Sequence, residues 1–174
     1  MTTALRPSIA DVWDWLAEVP DPEIPVISLS DLGIIRDVAW HDDTLVVTVT
    51  PTYSGCPATS VINLDIEAAL AAKGLEKVAL KRQLSPAWTT DWISAEGREK
   101  LREYGIAPPI DGTASDGILM KRIDRLSGRS NLTVACPRCG SADTEKISQF
   151  GSTPCKASYR CRACLEPFDY FKCI

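Results

Sequence analysis

Histidine is almost missing from this chain. His41 is the only one in 174 residues. A Cys–His protease or acyl transferase needs an imidazole beside its thiol. His41 instead opens "HDD", a short polar stretch between two strand-like runs, where a solvated hairpin turn is expected. The sequence therefore argues against nucleophilic hydrolysis. No apolar run reaches the ~18 residues that span a bilayer. The first residues, "MTTALRPSIADVW", have no basic segment followed by an apolar one, so no secretory leader is read and a cytoplasmic protein is expected. No internal repeat is visible. A dense basic stripe is also missing, which argues against nucleic acid as a partner.

The net charge of −4 is unevenly spread. Residues 131–174 hold Arg138, Lys146, Lys156, Arg160, Arg162 and Lys172 against Asp143, Glu145, Glu166 and Asp169, a balance of +2 that leaves −6 on residues 1–130. With 45% hydrophobic residues the chain can bury a core, and the length suits one compact domain plus a small module.

Ser8 with Asp11 forms a capping-box pattern, with Asp in the usual Glu position. Ile9, Val12, Trp13 and Leu16 follow at helical spacing, so a first helix is predicted from Ile9 to about Val19. "PDPEIPV" stops it and forces an extended path. "GIIRDVAW" and "TLVVTVT" read as strands. A second helix is predicted from near Pro57 to the residues before Gly74. "EKVALKRQL" reads as a third strand with one buried face through Val78, Leu80, Arg82 and Leu84. Ser94 caps a last helix, "AEGREKLREY", which Gly105 ends. The expected architecture is α+β: a small αββαβα domain over residues 1–106, a Pro/Gly/Ser-rich linker over 107–131, and a C-terminal module over 132–174.

Seven cysteines are present, an odd number. In a reducing compartment, cysteines at short spacings point to metal rather than disulfides. "CPRCG" and "CRAC" place Cys136, Cys139, Cys161 and Cys164 in a C-x2-C, 21-residue, C-x2-C pattern, the spacing of a four-thiolate zinc ribbon. A module of about 40 residues buries too little to fold alone, so metal is expected to supply its stability. Zinc is the default occupant, with iron in a rubredoxin-like site as the alternative. If the strands around Tyr159 and Phe168 pair as a hairpin, Cys155 falls near Lys172 or Cys173. Cys155 and Cys173 are then either two small buried residues or a second thiol site.

Cys56 stands alone in "TPTYSGCPAT". At a helix N-terminus its thiolate would be favoured by unpaired N–H groups and the helix dipole. Gly55 allows a sharp turn, and Thr52, Tyr53, Ser54 and Thr59 supply hydroxyls. A reactive or metal-binding thiol is expected there, against the plainer reading of a cap-like residue. Asp21, Glu23 and Asp31 read as an acidic loop patch or as ordinary solvated charges.

"DPEIPVISLSDLGIIRDV", "TPTYSGCPAT" and "LSPAWTTDWIS" resemble the metal–sulfur cluster biosynthesis domain of iron–sulfur targeting and SUF-associated maturation factors, over roughly residues 8–105. With the ribbon added, the whole chain resembles the accessory D-subunit family of phenylacetyl-CoA epoxidase systems. The resemblance implies an accessory role in aerobic phenylacetate degradation, assisting iron–sulfur cluster or iron insertion rather than turning over substrate. Its implied partners are the epoxidase reductase and oxygenase subunits, with a homodimer as one way to complete a cluster. It marks Cys56 of "GCP", Asp21 and Glu23 of "DPE", and Trp88, Thr89 and Asp91 of "P-x-W-T-x-D" as functional positions. Ligands beyond Cys56 could come from a second copy, the recipient, or Cys155 and Cys173. Two other readings stay open: a structural or electron-transfer component of the complex, and a zinc-ribbon nucleic-acid regulator.

Overall fold

The computed structural model describes residues 6–53, 55–110 and 133–172. It is a mixed α+β protein that divides into two compact units between Trp88 and Thr89. Cys173 and most of the expected linker lie outside the described residues.

In the first unit α1 spans Ile9–Ala17. Its capping box forms as expected: the Ser8 hydroxyl accepts from the Asp11 N–H at 3.1 Å, and the Asp11 carboxylate accepts from the Ser8 N–H at 3.0 Å. The helix ends two residues before Val19, with Glu18 as its C-cap. Pro20 explains this, because its ring disfavours helical geometry at the preceding residue. The following loop is pinned rather than loose. The Asp21 N–H donates to Ile27 O and the Leu29 N–H to Val19 O, and Ile24, Ile27, Leu29 and Leu32 are buried.

β1 (Ile35–His41) and β2 (Thr44–Val49) pair antiparallel, joined at Asp42, which holds φ 52°. β2 then pairs parallel with β3 (Val78–Arg82). A parallel pair needs a long crossover, and α2 (Thr59–Ala72) supplies it, burying Ile62, Ile66 and Leu70 at four-residue spacing. Gly74 at φ 86° closes that crossover as expected. The predicted buried face of β3 is weaker than its alternation suggested. Val78 and Leu80 are half-buried, Arg82 is exposed, and Leu84 lies beyond the strand at 53% exposure. β3 is the last strand of a three-stranded sheet, and an edge strand is covered only in part.

The second unit opens with a short 3-10 turn, Thr90–Trp92, that the sequence did not signal. α3 spans Ala95–Tyr104, the predicted range, with the Ser94 hydroxyl accepting from the Gly97 N–H at 2.8 Å and Gly105 left-handed at φ 96°. β4 (Ile106–Ala107) leads directly from that glycine. β5 (Thr144–Ser148), β6 (Lys156–Cys161) and β7 (Pro167–Phe171) form the ribbon. The sheet runs β4-β7-β6-β5, with β4 parallel to β7 and the ribbon strands antiparallel. Tyr159 pairs with Phe168, the register expected from the sequence, and their rings stack at 5.8 Å. Residues 89–106, read from the sequence as the end of the first domain, group in the structure with the ribbon.

Ile66 is fully buried on the crossover helix α2, whereas Val61 on the same helix is 45% exposed. Ile66→Ala should cost about 2–5 kcal/mol, and Val61→Ala no more than about 0.5 kcal/mol. Urea unfolding followed by tryptophan fluorescence checks this, since Trp13, Trp15, Trp40 and Trp88 lie in the first unit.

Candidate metal centre

The two C-x2-C turns are built alike but from different residues. In the first, the Gly140 N–H donates to Cys136 O and the Cys136 N–H to Ser141 O, both at 2.9 Å. Gly140 takes φ 74° there without strain. In the second, the Cys161 N–H donates to Glu166 O at 2.9 Å, and Leu165 occupies the left-handed position at φ 66°. The Arg160 and Arg162 guanidinium groups clasp Glu145 at 2.6 and 3.0 Å, which ties the second turn to β5. Hydrogen bonds from Arg162, then Arg160, hold the Glu145 carboxyl below its usual range.

These turns bring four sulfurs together. The Sγ atoms of Cys136, Cys139, Cys161 and Cys164 all lie within 4.8 Å of one another. Cys136 and Cys164 are 3.8 Å apart, and Cys139 and Cys161 3.6 Å. A tetrahedron with ~2.3 Å metal–sulfur arms has edges of ~3.8 Å, so the group has the dimensions of a four-thiolate metal site. Cys136 and Cys161 face the core, while Cys139 and Cys164 are exposed.

The thiols do not share charge evenly. The Cys164 N–H, 3.5 Å from the Cys161 sulfur, lowers the Cys161 thiol to about 7, with help from the Ala163 N–H and against burial. A Glu166 backbone hydrogen bond pulls Cys164 down, but burial and the neighbouring thiols push it up to about 12. Cys139 is also raised: the Ser141 backbone lowers it, and crowding by Cys161 and Cys136 outweighs that. Four adjacent thiolates repel unless a cation sits among them, so metal entry must displace protons.

Cys56 is placed differently from its expected helix tip. α2 begins at Thr59, two residues later than Pro57. Cys56 lies in the turn before it, half-buried. Its N–H donates to Tyr53 O at 3.1 Å, and its carbonyl accepts from the Thr59 N–H at 3.3 Å and the Thr59 hydroxyl at 2.9 Å. The backbone of Cys56 thus fixes the entry to α2 and leaves the sulfur uncommitted among the described residues. A side chain at Gly55 would meet nothing within 4 Å, so the fold does not require glycine there. Nearby, a cleft of about 40 Å³ is lined by Val49, Pro51, Thr59, Asn63, Leu80 and Arg82 among others. The Asn63 Oδ1 is buried there without a hydrogen-bond partner among the described residues. This cleft had no signal in the sequence, because it depends on how α2 crosses the sheet.

The other marked residues have structural contacts. Asp21 is buried, and its Oδ1 accepts from the Glu23 and Ile24 N–H groups at 2.9 and 2.8 Å. Trp88 is buried and its indole N–H donates to Leu32 O at 2.9 Å. Thr89 caps the 3-10 turn by accepting from the Asp91 N–H at 3.0 Å, and Asp91 is exposed. Cys155 is buried, with its sulfur 3.0 Å from the Thr153 hydroxyl and its carbonyl accepting from the Lys172 N–H. That places Cys155 opposite Lys172, one of the two positions hairpin counting allowed.

Two family descriptions match the two halves of this picture. Residues 9–80 match an iron-sulfur cluster assembly protein, and residues 122–172 match a PaaD zinc beta ribbon domain. The class defined by fold and site is thus an iron–sulfur assembly domain joined to a metal-binding β-ribbon. A protein of Escherichia coli (strain K12), provisionally named as the D-subunit of 1,2-phenylacetyl-CoA epoxidase, is 45% identical over all of this chain and 98% of its own length. The chain belongs to that epoxidase D-subunit family. An Fe-S protein maturation auxiliary factor of Porphyromonas gingivalis is 36% identical over 52% of this chain and 88% of its own. A solved DUF59 domain from Bacillus anthracis covers 53% of this chain and 89% of its own at 24% identity, with a TM-score of 0.49. Among the described residues no helix is long and apolar enough to cross a membrane.

Because Cys164 sits at about 12 and Cys139 is also raised, protons oppose the metal at neutral pH. Zinc affinity should fall on acidification, by about tenfold per pH unit for each proton displaced. Competition titrations between pH 6 and 8 check this, and pH-independent affinity would contradict it.

Proposed function

We propose that this chain is an accessory maturation factor for a phenylacetyl-CoA epoxidase complex, assisting iron–sulfur cluster or iron insertion rather than catalysing turnover. Its full-length relation to a protein named as the D-subunit of that epoxidase carries the reading. The relatives named as maturation auxiliary factors and the assembly-domain match support an iron–sulfur-related accessory role for the first unit.

In this reading the two kinds of thiol have different tasks. Cys136, Cys139, Cys161 and Cys164 hold zinc permanently, since a closed four-thiolate tetrahedron is a structural site. Cys56 holds cargo transiently. Its side chain is only half-buried, its backbone is anchored, and a single soft ligand suits a cluster that must leave again. The remaining ligands come from the recipient, from the reductase or oxygenase subunits of the complex, or from a second copy. The setting is cytoplasmic, with no membrane or nucleic acid involved.

Cys56→Ser should abolish cluster or iron loading in anaerobic reconstitution while zinc content stays at the wild-type level. Unchanged loading in that variant, measured by iron and sulfide assay, would remove Cys56 from the mechanism.

A further inference from the structure

We propose that metal in the four-cysteine site holds the Thr89–Asp91 loop in place, acting through Arg138, Gly105, α3 and Arg98. The first link is steric. Arg138 lies between the two ligands of the first turn, and a Cβ added to Gly105 would fall 2.9 Å from its Nη2 and 3.2 Å from its Cζ. The guanidinium therefore lies flat against the glycine that ends α3. A helix C-terminus presents carbonyls with no intrahelical donor, and a cation there is favourable.

The second link is the sheet. β4 follows Gly105 and pairs with β7 through Ile106 and Ala107. Ala107 shares one buried cluster with Cys136 and Cys161, so two sulfur ligands and the end of the α3–β4 segment pack in the same core. The third link is Arg98 on α3. Its Nη1 donates to Pro109 O at 2.6 Å, beyond β4, and its Nη2 donates to Thr90 O at 2.7 Å, inside the loop. Thr90 is itself fully buried. The path from ligand turn to loop thus runs through a side chain packed on Gly105, a strand pairing in a shared core, and two hydrogen bonds from one helix residue.

When the sulfurs lose their metal, the bonds that tie the two C-x2-C turns together are gone and the first turn is free to open. Arg138 then leaves Gly105, β4 loses its place beside β7, and Arg98 has no fixed helix from which to hold Thr90. Arg98 and Arg138 act as positioning residues for the loop. The metal site comes from the reading above, but the coupling is separate from any role of Cys56.

Hydrogen exchange of the full chain tests this, comparing zinc-loaded, chelated and zinc-restored protein with metal content measured in parallel. Chelation should speed exchange in peptides covering 89–107 at least tenfold, together with the ribbon strands, and leave 9–82 unchanged. Zinc should reverse the effect. Arg138→Ala should keep its zinc yet exchange faster over 101–107, with Arg138→Lys partly restoring protection. The coupling is overturned if 89–107 keeps its protection while the ribbon strands lose theirs, or if Arg138→Ala with full zinc exchanges like wild type. If no metal binds the four cysteines at all, the coupling and the zinc assignment fall together, whereas bound zinc without the exchange response sinks the coupling alone.

Discussion

Four sulfurs within 4.8 Å of one another set a charge constraint that the polypeptide alone cannot satisfy. Backbone N–H groups lower one thiol to about 7, while burial and the neighbouring thiols lift another to about 12. Only a cation lets all four be thiolates at once. The ribbon's buried cluster is small, and among the described residues two of its eight members are those same cysteines. Loss of a bound metal would therefore reach directly into that packing, as is general for domains this small.

The first unit has the opposite balance. Its core of Val12, Leu16, Leu29, Leu45, Val47, Ile66 and Leu70 is nearly or fully inaccessible, and no cysteine contributes to it. Cys56 can therefore be left over for another task. The fold uses its N–H and carbonyl to start α2, and among the described residues its sulfur makes no hydrogen bond. In the proposed carrier role, this half-buried thiol beside Gly55 is where cargo from outside would be held. Asp21 and Trp88 brace loops in the same unit through backbone hydrogen bonds.

The elements with strong local signals were legible in the sequence. The Ser8–Asp11 box, α3 with its Ser94 cap and Gly105 stop, the Tyr159–Phe168 register and the C-x2-C pairs all follow from chemistry within a few residues. The differences arise where distant residues decide. The edge position of β3 leaves Leu84 exposed, whereas the early end of α1 is set locally by Pro20. β4 is two residues long and exists because β7 offers it an edge. The Arg138–Gly105 contact and the cleft beside Asn63 join segments far apart in sequence, and no periodicity announces them.

The account assigns permanent metal to one set of thiols and passing cargo to another. It is tested most directly by the zinc, iron and acid-labile sulfide content of the whole protein purified and reconstituted without oxygen. It predicts zinc at one per chain together with iron and sulfide that exchange readily. Zinc alone, with no iron or sulfide retained after reconstitution, would contradict the carrier role and leave a zinc-stabilised scaffold.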